Sequence, residues 1–295
     1  MSIVMITGAA TGIGRLTAET LAAAGHTVYA TMRDPEGRDT AAASELAALA
    51  RATGADLRVV ALDVTSQDSA EDAVRHILAD AGGLDAVVHN AGHLYLGYVE
   101  AFTDDDLARL LDVNAVGAHR VNRAVLPYLR ENRSGTLVYV GSTILVTTPP
   151  FLGPYVASKA AFDALAVVTS YEVSQFGIET SIVMPGAITQ GTRHFANASK
   201  ATDERVSAQY AVLDPLVERT HEAHEQLFAP GTTADPRDVA EEIRRILALP
   251  VGDKPFRSVV DAAHAGVDHV MAFSDLTREA FVRRLGFGET LELKP

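Results

Sequence analysis

Ile3-Val4-Met5-Ile6-Thr7-Gly8-Ala9-Ala10-Thr11-Gly12-Ile13-Gly14 is a short apolar run that ends in a glycine turn and leads into the Ala/Leu-rich stretch Leu16 to Ala24. The run reads as a strand and the stretch beyond the turn as a helix. Gly8, Gly12 and Gly14 remove side chains where the chain turns tightly, leaving bare amides and a helix N-terminus to face a pyrophosphate. With Thr11 and Ile13 they form an expected nucleotide cradle. The spacing Gly-x-x-x-Gly-x-Gly differs from Gly-x-Gly-x-x-Gly, and the Gly-Lys-Ser/Thr of a phosphate loop is absent.

Outward from this turn, strand-like runs recur at Thr27 to Met32, Leu57 to Ala61, Ala86 to His89, Thr136 to Val140, Glu179 to Met184 and Phe256 to Val260, which with Ile3 to Thr7 make seven. Between them Ala41 to Ala52, Ser69 to Leu78, Leu107 to Leu129 and Val156 to Phe176 carry helical periodicity. Alternating β and α elements predict an α/β, doubly wound parallel sheet whose ligands sit beyond the carboxyl ends of the strands. The 295 residues, 47% hydrophobic, suffice for one large domain or two small ones. No Pro/Gly/Ser linker or repeat argues for two, so residues 1–295 read as one domain. Gln190 to Thr233 breaks the rhythm, with a helical pattern around Ala208 to Leu227, and is expected to be a substrate lid or a surface used in oligomer contacts. Residues 262–295 read as a C-terminal helical extension.

A formal charge of −13 disfavours nucleic acid and anionic membrane as partners. The chain has no Cys, which removes disulfide, thiolate and Cys-zinc chemistry. The N-terminal apolar run is too short to span a bilayer and lacks a basic leader, so a cytoplasmic protein is expected.

Ser142 follows the fifth strand, and Tyr155-Val156-Ala157-Ser158-Lys159 begins thirteen residues later on a predicted helix. The four-residue offset places Tyr155 and Lys159 on one face, a turn apart. An ammonium there is expected to depress the phenol pKa by about two to three units, roughly 3 to 4 kcal/mol of preferential phenolate stabilisation. Ser142 supplies a hydrogen bond to a carbonyl or alkoxide oxygen beside the phenol. The set suits proton transfer at a carbonyl oxygen while a nicotinamide carries the hydride.

Taken together, these motifs resemble those of short-chain dehydrogenases/reductases, and the resemblance runs in order from residue 3 to 260. It implies a Rossmann-type fold in which Tyr155 is the general acid/base, Lys159 lowers its pKa and binds the nicotinamide ribose, and Ser142 orients the substrate oxygen. Asn114, expected on the fourth helix, matches the Asn that relays protons through water. Asn90-Ala91-Gly92 matches the adenine-side backbone element, with His89 where an Asn is common. Asp63-Val64 resembles the adenine-contacting pair. Pro185-Gly186-Ala187-Ile188 resembles the turn that packs on the nicotinamide and binds its carboxamide through the Ile188 main chain. The Thr expected after that turn is displaced, with Thr189 one place early and Thr192 two late, and neither is assigned. The strand Val28 to Asp34 and Pro255-Phe256-Arg257 resemble the steroid- and retinoid-dehydrogenase-like branch.

Cofactor choice rests on the second strand, which ends Met32-Arg33-Asp34. NAD sites place a carboxylate where Met32 stands, whereas Arg33, with the Thr11 hydroxyl, favours a 2′-phosphate. NADP(H) is therefore expected. The alternative is NAD(H), with Asp34 swung in and Arg33 turned to solvent. Leu94, Ile144, Leu145, Pro149, Pro150, Phe151 and Leu152 predict an apolar pocket for a ketone, aldehyde or secondary alcohol. His221-Glu222-Ala223-His224 reads as an acidic solvated helix and Asp104-Asp105-Asp106 as a helix-capping cluster, so no metal site is expected. A binding protein that senses NADP(H) would lose Tyr155, Lys159 or Ser142, and a nucleotide-sugar epimerase would space its glycines differently. The long fourth and fifth helices offer faces for a homo-oligomer, a dimer or tetramer.

Overall fold

A computed structural model describes residues 1–192 and 194–294, with the side chain of His221 also outside the described set. The strands are β1 Ile3–Ile6, β2 Thr27–Met32, β3 Leu57–Ala61, β4 Ala86–His89, β5 Gly135–Val140, β6 Ile178–Pro185 and β7 Arg257–Val260. Helices α1 Gly12–Ala23, α2 Thr40–Thr53, α3 Gln67–Ala81, α4 Asp104–Leu111, α5 Gly117–Glu131, α6 Ile144–Thr147 and α7 Gly153–Val173 alternate with the first six strands. The remainder are the short α8 Glu204–Gln209, α9 Asp214–Glu218 and α10 Thr220–Glu225, then α11 Pro236–Ala248 and α12 Val267–Arg284. All strand pairs are parallel, in the order β3-β2-β1-β4-β5-β6-β7. The order reverses between β1 and β4, which opens the crevice where doubly wound sheets bind ligands. This is the Rossmann-type fold expected from the alternating pattern.

Side-chain alternation along the strands divides the core. Val4, Ile6, Val28, Ala30, Val88, Val138 and Val140 face Leu21 of α1, Leu46 of α2 and Ile243 of α11. Met5, Tyr29, Val87, Leu137 and Tyr139 face Ile77 of α3, Val125 of α5 and Phe162 of α7. Both faces are covered, which is why the strands read as continuous apolar runs.

Two expectations about helices are corrected. Leu107 to Leu129 is α4 and α5 joined by a π turn, Asp112–Val116, which carries Asn114. The pattern around Ala208 to Leu227 is broken into α8, a 3-10 turn at Ala211–Leu213, α9 and α10. Pro215 restarts the chain at the head of α9, where Asp214 accepts a hydrogen bond from Tyr98 Oη at 2.6 Å. Among the described residues no helix is long and apolar enough to cross a membrane.

Candidate active site

The glycine turn is built against β4. Thr7 Oγ1 accepts from the amides of Asn90 and Ala91 at 2.9 and 3.0 Å, and Asn90 Nδ2 donates to the carbonyls of Thr7 and Gly8. Gly8 has φ +67°, and a Cβ there would lie 2.8 Å from Ala91 Cα. At Gly14 a Cβ would lie 2.3 Å from Asn90 Nδ2 and 2.5 Å from Gly8 O. Neither position tolerates a side chain without moving the turn. The exposed Thr11 precedes α1 in extended conformation, makes no side-chain cap, and no acidic residue lies in the first turn. The amides that open α1 therefore keep the donor character an anion needs. A nicotinamide dinucleotide's pyrophosphate fits this cradle.

Ile13 and Ile188 pack against the α1 and α11 side of the core, and Thr192 Cβ stands 3.8 Å from where a Gly12 Cβ would be. The displaced threonine that reaches the glycine turn is thus Thr192. Gly186 N donates to Val260 O and Thr143 N to Pro185 O, tying the end of β6 to both neighbouring strands. A Cβ at Gly92 would lie 3.4 Å from Asn114 Oδ1.

At the end of β2 the side chain of Met32 is buried in the core, so Arg33 is the first residue to reach outward, 48% exposed. Its Nε lies 3.9 Å from Asp63 Oδ2. Burial opposes charge on Asp63, but hydrogen bonds from the Thr65 amide and hydroxyl, with Arg33 and Arg120 nearby, hold its carboxyl below the usual range. Asp34 turns away, accepting from the amides of Gly37 at 2.9 Å and Arg38 at 3.1 Å. The side chain of Val64 is buried beneath α5, and its carbonyl accepts from Arg120.

At the β5 end, α7 presents the two groups the spacing predicted. Tyr155 is 7% exposed, and Lys159, equally buried, donates to Val140 O at 2.9 Å, two residues before Ser142. Ser142 Oγ accepts from the Ile144 amide at 3.2 Å, and Ile144 packs in the same cluster as Tyr155. Ser142 is thereby fixed at the strand end against which Lys159 rests. Asn114 locks this arrangement: Oδ1 accepts from His93 N at 2.7 Å, and Nδ2 donates to His93 O and Ser158 Oγ, both at 2.9 Å. A π turn at a site-bearing position is a common device for aiming such a side chain.

The expected depression of the Tyr155 pKa is not what the surroundings produce. Burial raises the phenol, and burial also lowers Lys159 to about 8. Each charge alone is disfavoured in this apolar setting, a cost that spacing along the helix does not reveal.

Sequence reasoning also missed His194. Its Nε2 lies 3.2 Å from Tyr155 Oη, with the rings edge to face at 5.4 Å. Burial, with Lys159 and His93 nearby, lowers the imidazole to about 4. His194 and Phe195, with Ser199 beyond them, pack over the Tyr155 side of the site. Ser199 exchanges main-chain hydrogen bonds with Leu94 and Leu96, and His93 Nε2 meets Ser199 Oγ at 2.7 Å. Asp106, 1% exposed, accepts from the Thr202 amide and hydroxyl, Thr103 N and Arg109. Of the acidic triplet at the head of α4, Asp106 is thus both cap and clasp. Burial opposes its charge, yet the Thr202, Thr103 and Arg109 bonds hold its carboxyl well below the usual range.

The apolar residues foreseen as a pocket separate. Leu94, Ile144 and Leu152 pack around Tyr155 with Phe195 above them. Leu145 joins the main core, and Phe151 packs with Tyr98, Ala101 and Val206 under α8. His224 Nδ1 is paired with Thr220 O at 2.6 Å and its ring lies on Phe195, while the His221 side chain is outside the described residues.

Comparison with known proteins gives the class. Residues 2–203 match the family model for short chain dehydrogenase, and the chain belongs to that family. Its members are nucleotide-binding oxidoreductases that act on CH–OH groups. A 3-ketodihydrosphingosine reductase of Bacteroides thetaiotaomicron is 31% identical over 202 residues, which are 68% of this chain and 70% of that protein. The 3-oxoacyl-(acyl-carrier-protein) reductase of Escherichia coli is 30% identical over 68% of this chain and 79% of its own. A crystal structure of a short-chain dehydrogenase from Streptomyces avermitilis superposes with a TM-score of 0.71 at 27% identity, covering 98% of both chains. The match over residues 2–203 assigns the family and not the steroid- and retinoid-dehydrogenase-like branch within it.

Proposed function

We propose that this protein is an NADP(H)-dependent oxidoreductase that interconverts an apolar or aromatic ketone or aldehyde and the corresponding alcohol. The observation that carries this reading is the burial of Tyr155 and Lys159 one turn apart against the end of β5, beside Ser142. Gly8, Gly12 and Gly14 would hold the dinucleotide, which when bound would supply the hydride for the carbonyl carbon. Tyr155 Oη gives its proton to the carbonyl oxygen as the C=O π bond breaks, leaving an alcohol. The phenol is protonated at neutral pH, the form that donates, and burial reinforces this. The phenolate left behind faces the Lys159 ammonium, whose attraction offsets part of the burial penalty that each charge bears. Ser142 holds the oxygen being protonated, and Asn114 positions α7 against the His93 segment, with the water relay implied by the family resemblance as its second role.

Arg33, half-exposed at the β2 end with only a long 3.9 Å approach to Asp63, and Asp34, already engaged by two amides, favour the 2′-phosphate of NADP over the ribose hydroxyls of NAD. Asp63 and Asn90 to Gly92 line the adenine side, where Val64, its side chain packed under α5, offers only its main-chain amide. Gly8, Thr11, Gly12, Ile13, Gly14 and Thr192 take the pyrophosphate, and Pro185, Gly186 and Ile188 the nicotinamide. The 190–233 segment acts as the lid, and the ketone chemistry named for the Bacteroides and Escherichia coli relatives agrees with an apolar carbonyl substrate. Exposed Leu107, Val116, Leu165 and Val168 on α4, the π turn and α7 suit pairing into a homo-oligomer.

Initial rates of NADPH oxidation with a panel of apolar ketones and aldehydes test the reading. Tyr155→Phe is expected to lose about 100-fold or more in rate while retaining NADPH binding. A panel that wild-type protein leaves untouched would count against it.

A further inference from the structure

We propose that His194 is a specificity-determining residue that selects ketones bearing a hydroxyl on the carbon next to the reacting carbonyl. This rests on the reading of Tyr155 as the proton donor. The imidazole is the partner of Tyr155 Oη, at 3.2 Å, within walls formed by Leu94, Ile144, Leu152 and Phe195. When the Tyr155 hydroxyl turns its proton to a substrate carbonyl oxygen, the tautomer of His194 whose Nε2 accepts that proton loses its partner beside these apolar walls. A polar nitrogen left unpaired in a partly buried, apolar-walled position is penalised, whereas one given a new partner is not.

The replacement must sit beside the reacting oxygen, because His194 and that oxygen address the same phenol. Oxygens on adjacent carbons are separated by about one hydrogen-bond length, so an α-hydroxy ketone places its second oxygen there. A hydroxyl both donates and accepts, and therefore suits either tautomer of the ring. The low imidazole pKa, about 4, keeps the ring neutral and able to play either part at pH 7. His194 is held over Tyr155 because the segment is fastened at Ser199 to Leu94 and Leu96, and at Thr202 to Asp106.

The test compares 1-hydroxyhexan-2-one with hexan-2-one in wild type, His194→Phe and His194→Gln, each loaded with NADPH. The ratio of the two kcat/KM values cancels any general effect of the substitution. It is expected to fall about tenfold or more in His194→Phe and to recover in part in His194→Gln, whose amide both donates and accepts. An equal ratio, within twofold, in wild type and His194→Phe would overturn the proposal. A second arm uses binding alone, by calorimetry of hexane-1,2-diol and hexan-2-ol with the NADP-loaded protein. Preference for the diol that is lost in His194→Phe supports the selection even if neither ketone is turned over, an outcome that would refute the reductase reading instead. Equal binding of both alcohols by wild type would refute the selection itself.

Discussion

His89→Leu is expected to make the protein markedly less sensitive to acid. His89 closes β4 in the sheet interior, where its ring stacks on Tyr139 with centroids 4.6 Å apart. Neither ring nitrogen has a hydrogen-bond partner among the described residues, and Asn122 Oδ1 beside them is likewise unpaired. Burial, outweighing the opposing effect of neighbouring Asn122, lowers the imidazole to about 4, from 6.5 in an unfolded chain. The folded state therefore refuses a proton that the unfolded chain accepts, so stability falls as pH drops through 6.5 and continues to fall until about 4. Linkage with those two values gives almost no penalty at pH 7 and about 2 kcal/mol at pH 5. Urea unfolding of wild type and His89→Leu at both pH values measures this directly. The gap in stability between the two proteins should shift by about 2 kcal/mol in favour of the variant on going from pH 7 to pH 5. An unchanged gap would show that the imidazole finds a proton acceptor in the native core, and the reasoning would fail.

Lys159→Met should separate stability from function: removing a buried charge is expected to raise stability at pH 7 by about 1 kcal/mol, after the loss of the bond to Val140 O, while turnover falls about 100-fold or more. Denaturant midpoints and initial rates check the two signs. Since burial lowers Lys159 to about 8, wild-type stability should rise between about pH 8 and pH 10, a rise that Lys159→Met lacks. Asp106→Ala removes a clasp of four hydrogen bonds and a helix cap; a loss of about 3 kcal/mol and faster proteolysis within residues 190–203 are expected, against unchanged cleavage if the segment is held elsewhere. Gly14→Ala forces a Cβ to within 2.5 Å of two groups of the turn, and should cost about 1 to 3 kcal/mol together with nucleotide binding, read by thermal shift with and without NADPH.

Strand positions were legible to within a residue or two because a doubly covered parallel sheet needs uninterrupted apolar runs, and each run ends where a turn begins. The glycine turn, Ser142 and the Tyr155 and Lys159 pair were legible because their chemistry depends on local spacing. What spacing omits is contact between distant segments. His194 reaches Tyr155 across 39 positions and Asp106 reaches Thr202 across 96, and neither belongs to a motif. Thr192 meets the glycine turn although it is displaced along the chain, since position in space decides the contact. The direction of the Tyr155 shift was misread for a related reason: the i,i+4 offset shows the cation but not the apolar walls that oppose both charges. The π turn at Asn114 was hidden because α4 and α5 share one continuous periodicity, and the extra residue is demanded by His93 and Ser158.

Isothermal titration of wild type and Arg33→Ala with NADPH and NADH tests most directly whether NADP serves the carbonyl-reducing site. NADPH should bind more tightly than NADH to wild type and weaken by about 1 to 3 kcal/mol in the variant, with NADH unaffected. Tighter binding of NADH, or an equal loss for both cofactors, would contradict the account and place Arg33 outside the 2′-phosphate site.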